Sequence, residues 1–437
     1  MSTARIGTTP GKSRSLRDLV AVNFGNALEW YDWNIYTIFA PYFAVQFFNP
    51  HNPTSAFLST LAVFAVGFVA RPVGGYLFGN FADRVGRRQA LFVAMVLTAL
   101  GSLVIALTPT YETIGIFASI ILVVTRLAQG LAHGGEMGTS ITYLVERAPK
   151  GRRAFFGSTS WVSVVIGTIL ATLMGLLMNA LLSEEQLNSW GWRVAFGVGA
   201  ILGLYALFLR RNLVETEAFT ENLETVPETA TDPATGKIKR RGGLFSYMRG
   251  LFVIFGVSAG GSLMFYTWLI YLPTYSRVAL GQDAASSLTA GLIAQVVFLG
   301  LILIAGVLGD KVGRKPLVIA FGAIFVVITW PVYHLVDGSF GTLLMAMLIS
   351  LTGLALLFGV NGAVWAEALP THVRAAGVSG TLSLSTALFG GTAPYLNAWL
   401  TENGHADWFI IYMIIIAAFT LVTGLVMRET RDSSLTR

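Results

Sequence analysis

The 437-residue sequence has no cysteine and little charge. Without cysteine there are no disulfides, thiolate metal sites or sulfur nucleophiles. Charged residues make up 12%, about half the share an ordinary soluble domain uses to cover its surface. Proline is also sparse, at 14 residues. No metal-ligand cluster, nucleophile elbow, phosphate-binding loop or nucleotide motif is visible, and this argues against an enzyme and for a chain with no cofactor. The net charge of +6 does not make a nucleic-acid face, because the basic residues lie in short connections between apolar runs.

What is present is 54% hydrophobic residue and 47 glycines, a composition suited to membrane helices. A span needs about 20 mostly apolar residues. Twelve stretches qualify, at 19–47, 56–78, 90–107, 113–144, 155–182, 192–209, 244–275, 284–308, 317–335, 341–366, 375–400 and 408–427. The expected domains are an N-terminal segment 1–18, a six-helix bundle 19–209, a linker 210–243, a second bundle 244–427 and a tail 428–437. Met1 to Arg17 is polar and basic, and no small-residue cleavage site follows, so the first apolar run reads as a retained helix.

Alternate connections carry Arg84, Arg87 and Arg88; Lys150, Arg152 and Arg153; Lys311, Arg314 and Lys315; and Arg374. The others carry His51, Glu112, Glu184, Glu185, Asp283, Asp337, Glu402 and Asp407, with Arg277 as the exception. Cationic loops stay inside, so both termini are expected on the cytoplasmic face of a bacterial inner membrane. The linker holds Glu215, Glu217, Glu221, Glu224 and Glu228, then Lys237, Lys239, Arg240 and Arg241, and reads as a solvated loop.

The halves repeat. Gly79-Asn80-Phe81-Ala82-Asp83-Arg84-Val85-Gly86-Arg87-Arg88 matches Gly306-Val307-Leu308-Gly309-Asp310-Lys311-Val312-Gly313-Arg314-Lys315. Glu146, Pro149 and Arg153 match Glu367, Pro370 and Arg374 in the form E-x-x-P-x-x-x-R. Two motifs recurring in order is internal symmetry of the transporter kind.

These paired loops resemble the major facilitator superfamily over essentially the whole chain. Gly25-Asn26-Ala27-Leu28-Glu29-Trp30-Tyr31-Asp32, Arg71-Pro72-Val73-Gly74-Gly75, Arg126-Leu127-Ala128-Gln129-Gly130 with Gly134-Gly135-Glu136, and Trp190-Gly191-Trp192-Arg193 resemble its metabolite:proton symporter family. Gly261-Ser262-Leu263-Met264-Phe265-Tyr266-Thr267, Phe389-Gly390-Gly391-Thr392-Ala393 and Gly138-Thr139-Ser140 look most like the α-ketoglutarate permease branch. Trp33, His133 and Ala195 depart from the pattern. The resemblance implies an all-α membrane protein of twelve transmembrane helices in two pseudo-symmetric six-helix bundles. It also implies proton-coupled import of a small organic acid, such as a dicarboxylate, with helices 1, 4, 7 and 10 lining the path. The expected partners are an anionic small molecule, protons and the bilayer, with no nucleic acid, and the monomer is the expected working unit.

Ionisable residues inside spans each cost about 2.5–3.5 kcal/mol and need a partner or a task. Arg71 and Arg126 offer forks for a carboxylate, or for a structural pair with Glu29 or Asp32. Gln129 and His133 share the Arg126 stripe. With Tyr266 on helix 7 and Asn361 on helix 10 they are the substrate-binding candidates. Asp32, then Glu29, then Glu136 are the proton-coupling candidates, since desolvation raises a carboxyl pKa and a nearby Arg lowers it. His133 is a further shuttle candidate, and the packing alternative stands beside it. Ser262, Thr267, Tyr271 and Tyr275 share helix 7 with Tyr266, as hydrogen-bonding wall or as ordinary packing.

The motif residues Asp83, Arg84, Gly86, Arg87, Arg88, Asp310, Lys311, Gly313, Arg314 and Lys315, with Glu146, Arg153, Glu367 and Arg374, are expected to form a conformational gate. In it an aspartate would accept from backbone N–H groups at a helix N-terminus.

The alternatives are three. Uptake of a zwitterion such as betaine or proline is one, although that branch carries a C-terminal coiled coil and no heptads follow Arg428. Drug efflux is another, disfavoured because Gly167-Thr168-Ile169-Leu170 lacks the efflux proline. A non-transporting membrane nutrient receptor is the third.

Overall fold

The computed structural model describes residues 12–85, 87–134, 137–146, 148–149, 151–210, 230–231, 238–239 and 247–433. Among them are twelve long helical rods. The first half has α1 (Lys12–Phe47), α2 (Pro53–Val85), α3 (Arg87–Leu107), α4 (Ile116–His133 continued by Met137–Glu146), α5 (Arg153–Leu181) and α6 (Trp192–Arg210). The second has α7 (Met248–Leu280), α8 (Ala284–Val312), α9 (Arg314–Leu335), α10 (Phe340–Ala368), α11 (Thr371–Ser385 continued to Ala393–Glu402) and α12 (Ala406–Val426). Eight of these are long and apolar enough to cross a membrane by length and composition alone. Their outer faces leave Leu100, Phe117, Val124, Leu173, Ile304 and Val327 exposed, a surface that water would not tolerate and hydrocarbon does.

Several rods read as uninterrupted in the sequence are not. α4 turns at Gly134, with 135–136 outside the described residues. α10 breaks between Phe358 and Asn361. α7 and α11 each contain a π-helical stretch, Phe265–Tyr271 and Thr386–Gly391. An extra residue per turn rotates everything beyond it, and such stretches cluster at functional sites. Irregular backbone at this depth is tolerated because it is enclosed by protein; Phe265 to Tyr271 are all buried.

The linker, read as a loop, contains one short ladder: β1 (Ala230–Thr231) pairs antiparallel with β2 (Ile238–Lys239). The tail, assigned to 428–437, packs back on the helices through residue 433, as described below.

Glycines set the approach of α2 and α4. A Cβ on Gly130 would lie 1.9 Å from the Gly67 carbonyl oxygen, one on Gly134 would lie 1.9 Å from that of Arg71, and one on Gly74 would lie 2.0 Å from that of Leu131. Any side chain there would force the two helices apart. This contact fixes the rotation of α4, and hence the facing of every polar residue on it.

Candidate functional site

A central cavity of about 370 Å³ separates the halves. It is lined by Trp30 of α1, Arg71 of α2 and Trp161 of α5 from the first half. Ser258, Ser262 and Tyr266 of α7, Asn361 and Trp365 of α10 and Thr386 of α11 face them from the second.

Arg71 supplies the cavity's charge. It is 2% exposed, and its guanidinium stacks 3.7 Å from the Phe68 ring centroid and 4.3 Å from that of Trp33. Stacking holds the fork flat and leaves its edge free for hydrogen bonds. Arg71 Nε and Nη2 have no hydrogen-bond partner. Neither have Trp30 Nε1, Trp365 Nε1 or Ser258 Oγ, on residues lining the same cavity, while the Tyr266 hydroxyl lies within reach of Arg71. Buried polar groups are normally satisfied, so a cluster of orphaned donors is a signature of a ligand. Asn361 Oδ1 accepts from Trp161 Nε1 at 2.9 Å, and the Ser262 and Thr386 hydroxyls are 3.0 Å apart, so these bonds join the halves or the two π-turned helices.

Arg126, Gln129 and His133 were expected beside the substrate path and do not line the cavity. The contact with α2 turns their stripe toward α1 and α3. Arg126 Nη1 lies 3.4 Å from Asp32 Oδ2 and its guanidinium stacks 4.2 Å from the Tyr36 ring. Gln129 Nε2 donates to Asp32 Oδ2 at 3.0 Å and to the Thr98 carbonyl at 3.2 Å. Ser102 Oγ donates to Asp32 Oδ1. His133 Nδ1 meets Glu29 Oε1, and its ring packs between Trp30 and Trp33. Among the described residues, α2, α5 and α11 supply walls of this cavity beside α1, α7 and α10, and α4 supplies none. Glu136 lies outside the described residues.

Trp30, Trp161, Trp365, Ser258 and Thr386 were not singled out from the sequence. Trp30 stood inside a quoted motif; a tryptophan or a small hydroxyl in an apolar run gives no other signal. Tyr271 and Tyr275, on the same rod as Tyr266, are buried away from the cavity, and Tyr275 packs against Tyr333.

At the cationic-loop face the motifs meet across the halves. Asp310 accepts from the backbone N–H groups of Ala154 at 2.9 Å and Phe155 at 3.0 Å, the first turn of α5. The two E-x-x-P-x-x-x-R copies exchange partners: Arg374 pairs with Glu146, and Arg153 Nη1 lies 3.5 Å from Glu367 Oε1. Arg314 grips Glu367 with two bonds, at 3.2 and 3.1 Å. The tail joins this network. Glu429 accepts from the backbone N–H groups of Arg314 and Lys315, capping α9 after Gly313 (φ 115°). Thr430 Oγ1 donates to Glu367 at 2.6 Å, the Ser433 carbonyl accepts from Arg153 at 2.7 Å, and the Lys311 carbonyl accepts from Arg431 at 2.6 Å. Burial acts to raise the Glu429 carboxyl, but four backbone donors outweigh it and hold it below the usual range. Gly86 and the side chains of Asp83, Arg84, Arg87 and Arg88 lie outside the described residues.

On the opposite face Arg277 stacks 3.9 Å from the Tyr42 ring, and Thr172 Oγ1 donates to Gln295 Oε1 at 3.1 Å, again between halves. The cavity therefore lies between two closed contacts. A charged cavity between two pseudo-symmetric six-helix bundles fits a transporter of the major facilitator fold rather than an enzyme. The sugar (and other) transporter family matches residues 19–437, and the chain belongs to that family.

Among similar proteins is the α-ketoglutarate permease of Escherichia coli strain K12, 34% identical over 430 residues, covering 97% of this chain and 96% of the relative. The inner membrane metabolite transport protein YhjE of the same strain is 34% identical, covering 98% and 97%. The proline/betaine transporter of that strain is 30% identical, covering 97% and 85%. The solved xylose transporter XylE of E. coli, in a partially occluded inward-open conformation, shares the fold with a TM-score of 0.74 at 21% identity, covering 97% and 100%.

Proposed function

We propose that the protein is a proton-coupled symporter that imports a small carboxylate, with a dicarboxylate such as α-ketoglutarate as its first candidate substrate. The observation that carries this is the cluster of orphaned donors around Arg71. Two guanidinium nitrogens, two indole N–H groups and the Ser258 hydroxyl belong to residues lining one cavity. Such a set accepts an anion with several acceptor oxygens and leaves its own atoms unsatisfied with a neutral apolar one. The name of the 34% identical permease supports the same class.

In this proposal Arg71 binds the substrate carboxylate and Asp32 carries the coupled proton. Protonation of Asp32 breaks its pairing with Arg126; loss of the proton restores it. The Glu29–His133 pair lies one helical turn away and tunes that site. The halves 19–209 and 244–427 rock about the cavity, with both termini cytoplasmic, alternately opening the ionic latch on one face and the Arg277–Tyr42 contact on the other. The monomer is the working unit.

A second reading has one observation in its favour. The rings of Trp30, Trp161, Phe265, Phe358 and Trp365 line the cavity opposite a single cation, and aromatic walls suit a quaternary ammonium group. A betaine-like zwitterion would place its carboxylate on Arg71 and its cation among those rings.

Uptake of labelled α-ketoglutarate into proteoliposomes, with and without an inward proton gradient, tests the proposal. Accumulation that collapses with a protonophore and is lost in Arg71→Ala is the expected result. No uptake under a verified gradient contradicts the dicarboxylate assignment, and gradient-driven accumulation of glycine betaine in its place supports the zwitterion.

A further inference from the structure

A second, water-sized cavity lies wholly inside the first half, between α1, α3 and α6. Glu29, Asp32, Thr98, Ser102, Gly199 and Gly203 line it, and none of its lining residues borders the central cavity. Small residues keep it open at Asp32. A Cβ on Gly199 would come within 3.3 Å of the Tyr31 ring and 3.7 Å of Asp32 Oδ1, and one on Gly203 within 2.9 Å of Ala99 Cβ. The cavity extends from Asp32 toward Gly25 on α1, Ala94 on α3 and Gly203 on α6. On all three helices this is the direction of the cationic-loop face.

We propose that this cavity is the proton's own route between Asp32 and the cytoplasmic side, separate from the substrate path. The inference rests on Asp32 as the proton site. Asp32 Oδ1 and Ser102 Oγ border the space, with Glu29 and Thr98 beside them, which gives water the two to four polar partners it needs to occupy a cavity. The step is a simple proton transfer. The Asp32 O–H bond breaks, a water in the cavity takes the proton, and the carboxylate left behind re-forms its pair with Arg126.

The groups that face Asp32 are accounted for element by element among the described residues. Glu29 and Tyr31, whose hydroxyl donates to the Ala195 carbonyl, are on its own helix, Ser102 is on α3, and Arg126 and Gln129 are on α4, with His133 held to Glu29. α6 presents glycine. On the other side the Trp33 ring packs against both His133 and Arg71, and of this cluster Glu29 acts electrostatically on Arg71. A proton leaving this way does not pass the bound anion.

Thr98→Leu, which fills the cavity with an apolar side chain, tests the route; Met95→Phe replaces it should that variant fail to insert. Two assays are run in proteoliposomes with labelled α-ketoglutarate: gradient-driven accumulation, which needs net proton release, and substrate exchange at equal pH, which does not. The expected result is that accumulation falls to the level seen without a gradient while exchange stays at the wild-type rate. Equal loss of both, or loss of neither, overturns the route. Asp32→Asn separates the two ideas: if it keeps gradient-driven accumulation, Asp32 itself is not the proton site, whereas if it loses accumulation and Thr98→Leu keeps it, only the route fails.

Discussion

The two halves of this molecule share a fold and divide the chemistry unequally. The first half buries Asp32, Arg71, Arg126 and His133 within its spans, with Glu29 half-buried beside them. The second half, among its described residues, offers the cavity Ser258, Ser262, Tyr266, Asn361 and Thr386, all neutral. It keeps Arg277, Asp310, Arg314, Glu367 and Arg374 near helix ends. A charge inside a span costs about 2.5–3.5 kcal/mol before it is paired, and a pair spanning two moving bodies would be broken in every cycle. Confining buried pairs to one body avoids that. The ion pairs that do cross between halves lie at the helix ends, and in the proposed cycle breaking them there belongs to the opening step itself.

The contrast sets the order of mutational effects. The largest is expected from Arg126→Leu, which leaves Asp32 buried without its countercharge and costs about 3–5 kcal/mol of stability; thermal unfolding in detergent measures it, and the double variant Asp32→Asn/Arg126→Leu recovers most of the loss. Arg71→Ala spares the fold and removes the cavity's cation. It weakens substrate binding by about 2–5 kcal/mol, roughly thirtyfold or more in Kd, by calorimetry. Arg71→Lys restores only part of this, because a point charge lacks the fork.

On the neutral wall, Thr386→Val or Ser262→Ala changes Kd by about 0.5–1.5 kcal/mol, at most about tenfold. An effect there as large as that of Arg71→Ala would break the division of labour. The smallest effect belongs to the latch. Glu429→Gln keeps the shape and weakens the cap on α9 by about 0.3–1 kcal/mol, read as faster hydrogen exchange at Arg314 and Lys315. Its pH dependence has a definite sign. The folded-state pKa of Glu429 is depressed, so its contribution is complete above the ordinary glutamate range and is lost as pH falls through the lowered value.

The latch was the most legible part of the site. Asp310 and the crosswise pairs of Glu146 with Arg374 and of Glu367 with Arg153 sit in motifs whose spacing repeats, and repeated loops at equivalent positions must face each other across a pseudo-twofold axis. The twelve spans were legible for a similar reason: apolar length needs no tertiary information. The facing of Arg126, Gln129 and His133 was not. Helical spacing put them on one stripe, but the direction of that stripe is set by the close glycine contact between α2 and α4. The tryptophans of the cavity were also hidden, because an indole N–H lacking a partner looks in sequence like any packed ring. The π-turns in α7 and α11 re-aim Tyr266 and Thr386 in ways that a fixed helical period cannot anticipate. The docking of Glu429 depends on a helix N-terminus more than a hundred residues away in sequence.

The central claim, that the substrate is held between the halves while the proton is carried separately within the first, is tested most directly by intrinsic fluorescence, because Trp30, Trp161 and Trp365 line the substrate cavity. Titrating α-ketoglutarate into the protein in nanodiscs should give a saturable change that disappears in Arg71→Ala and persists in Asp32→Asn. A signal that survives in Arg71→Ala and vanishes in Asp32→Asn would contradict the account.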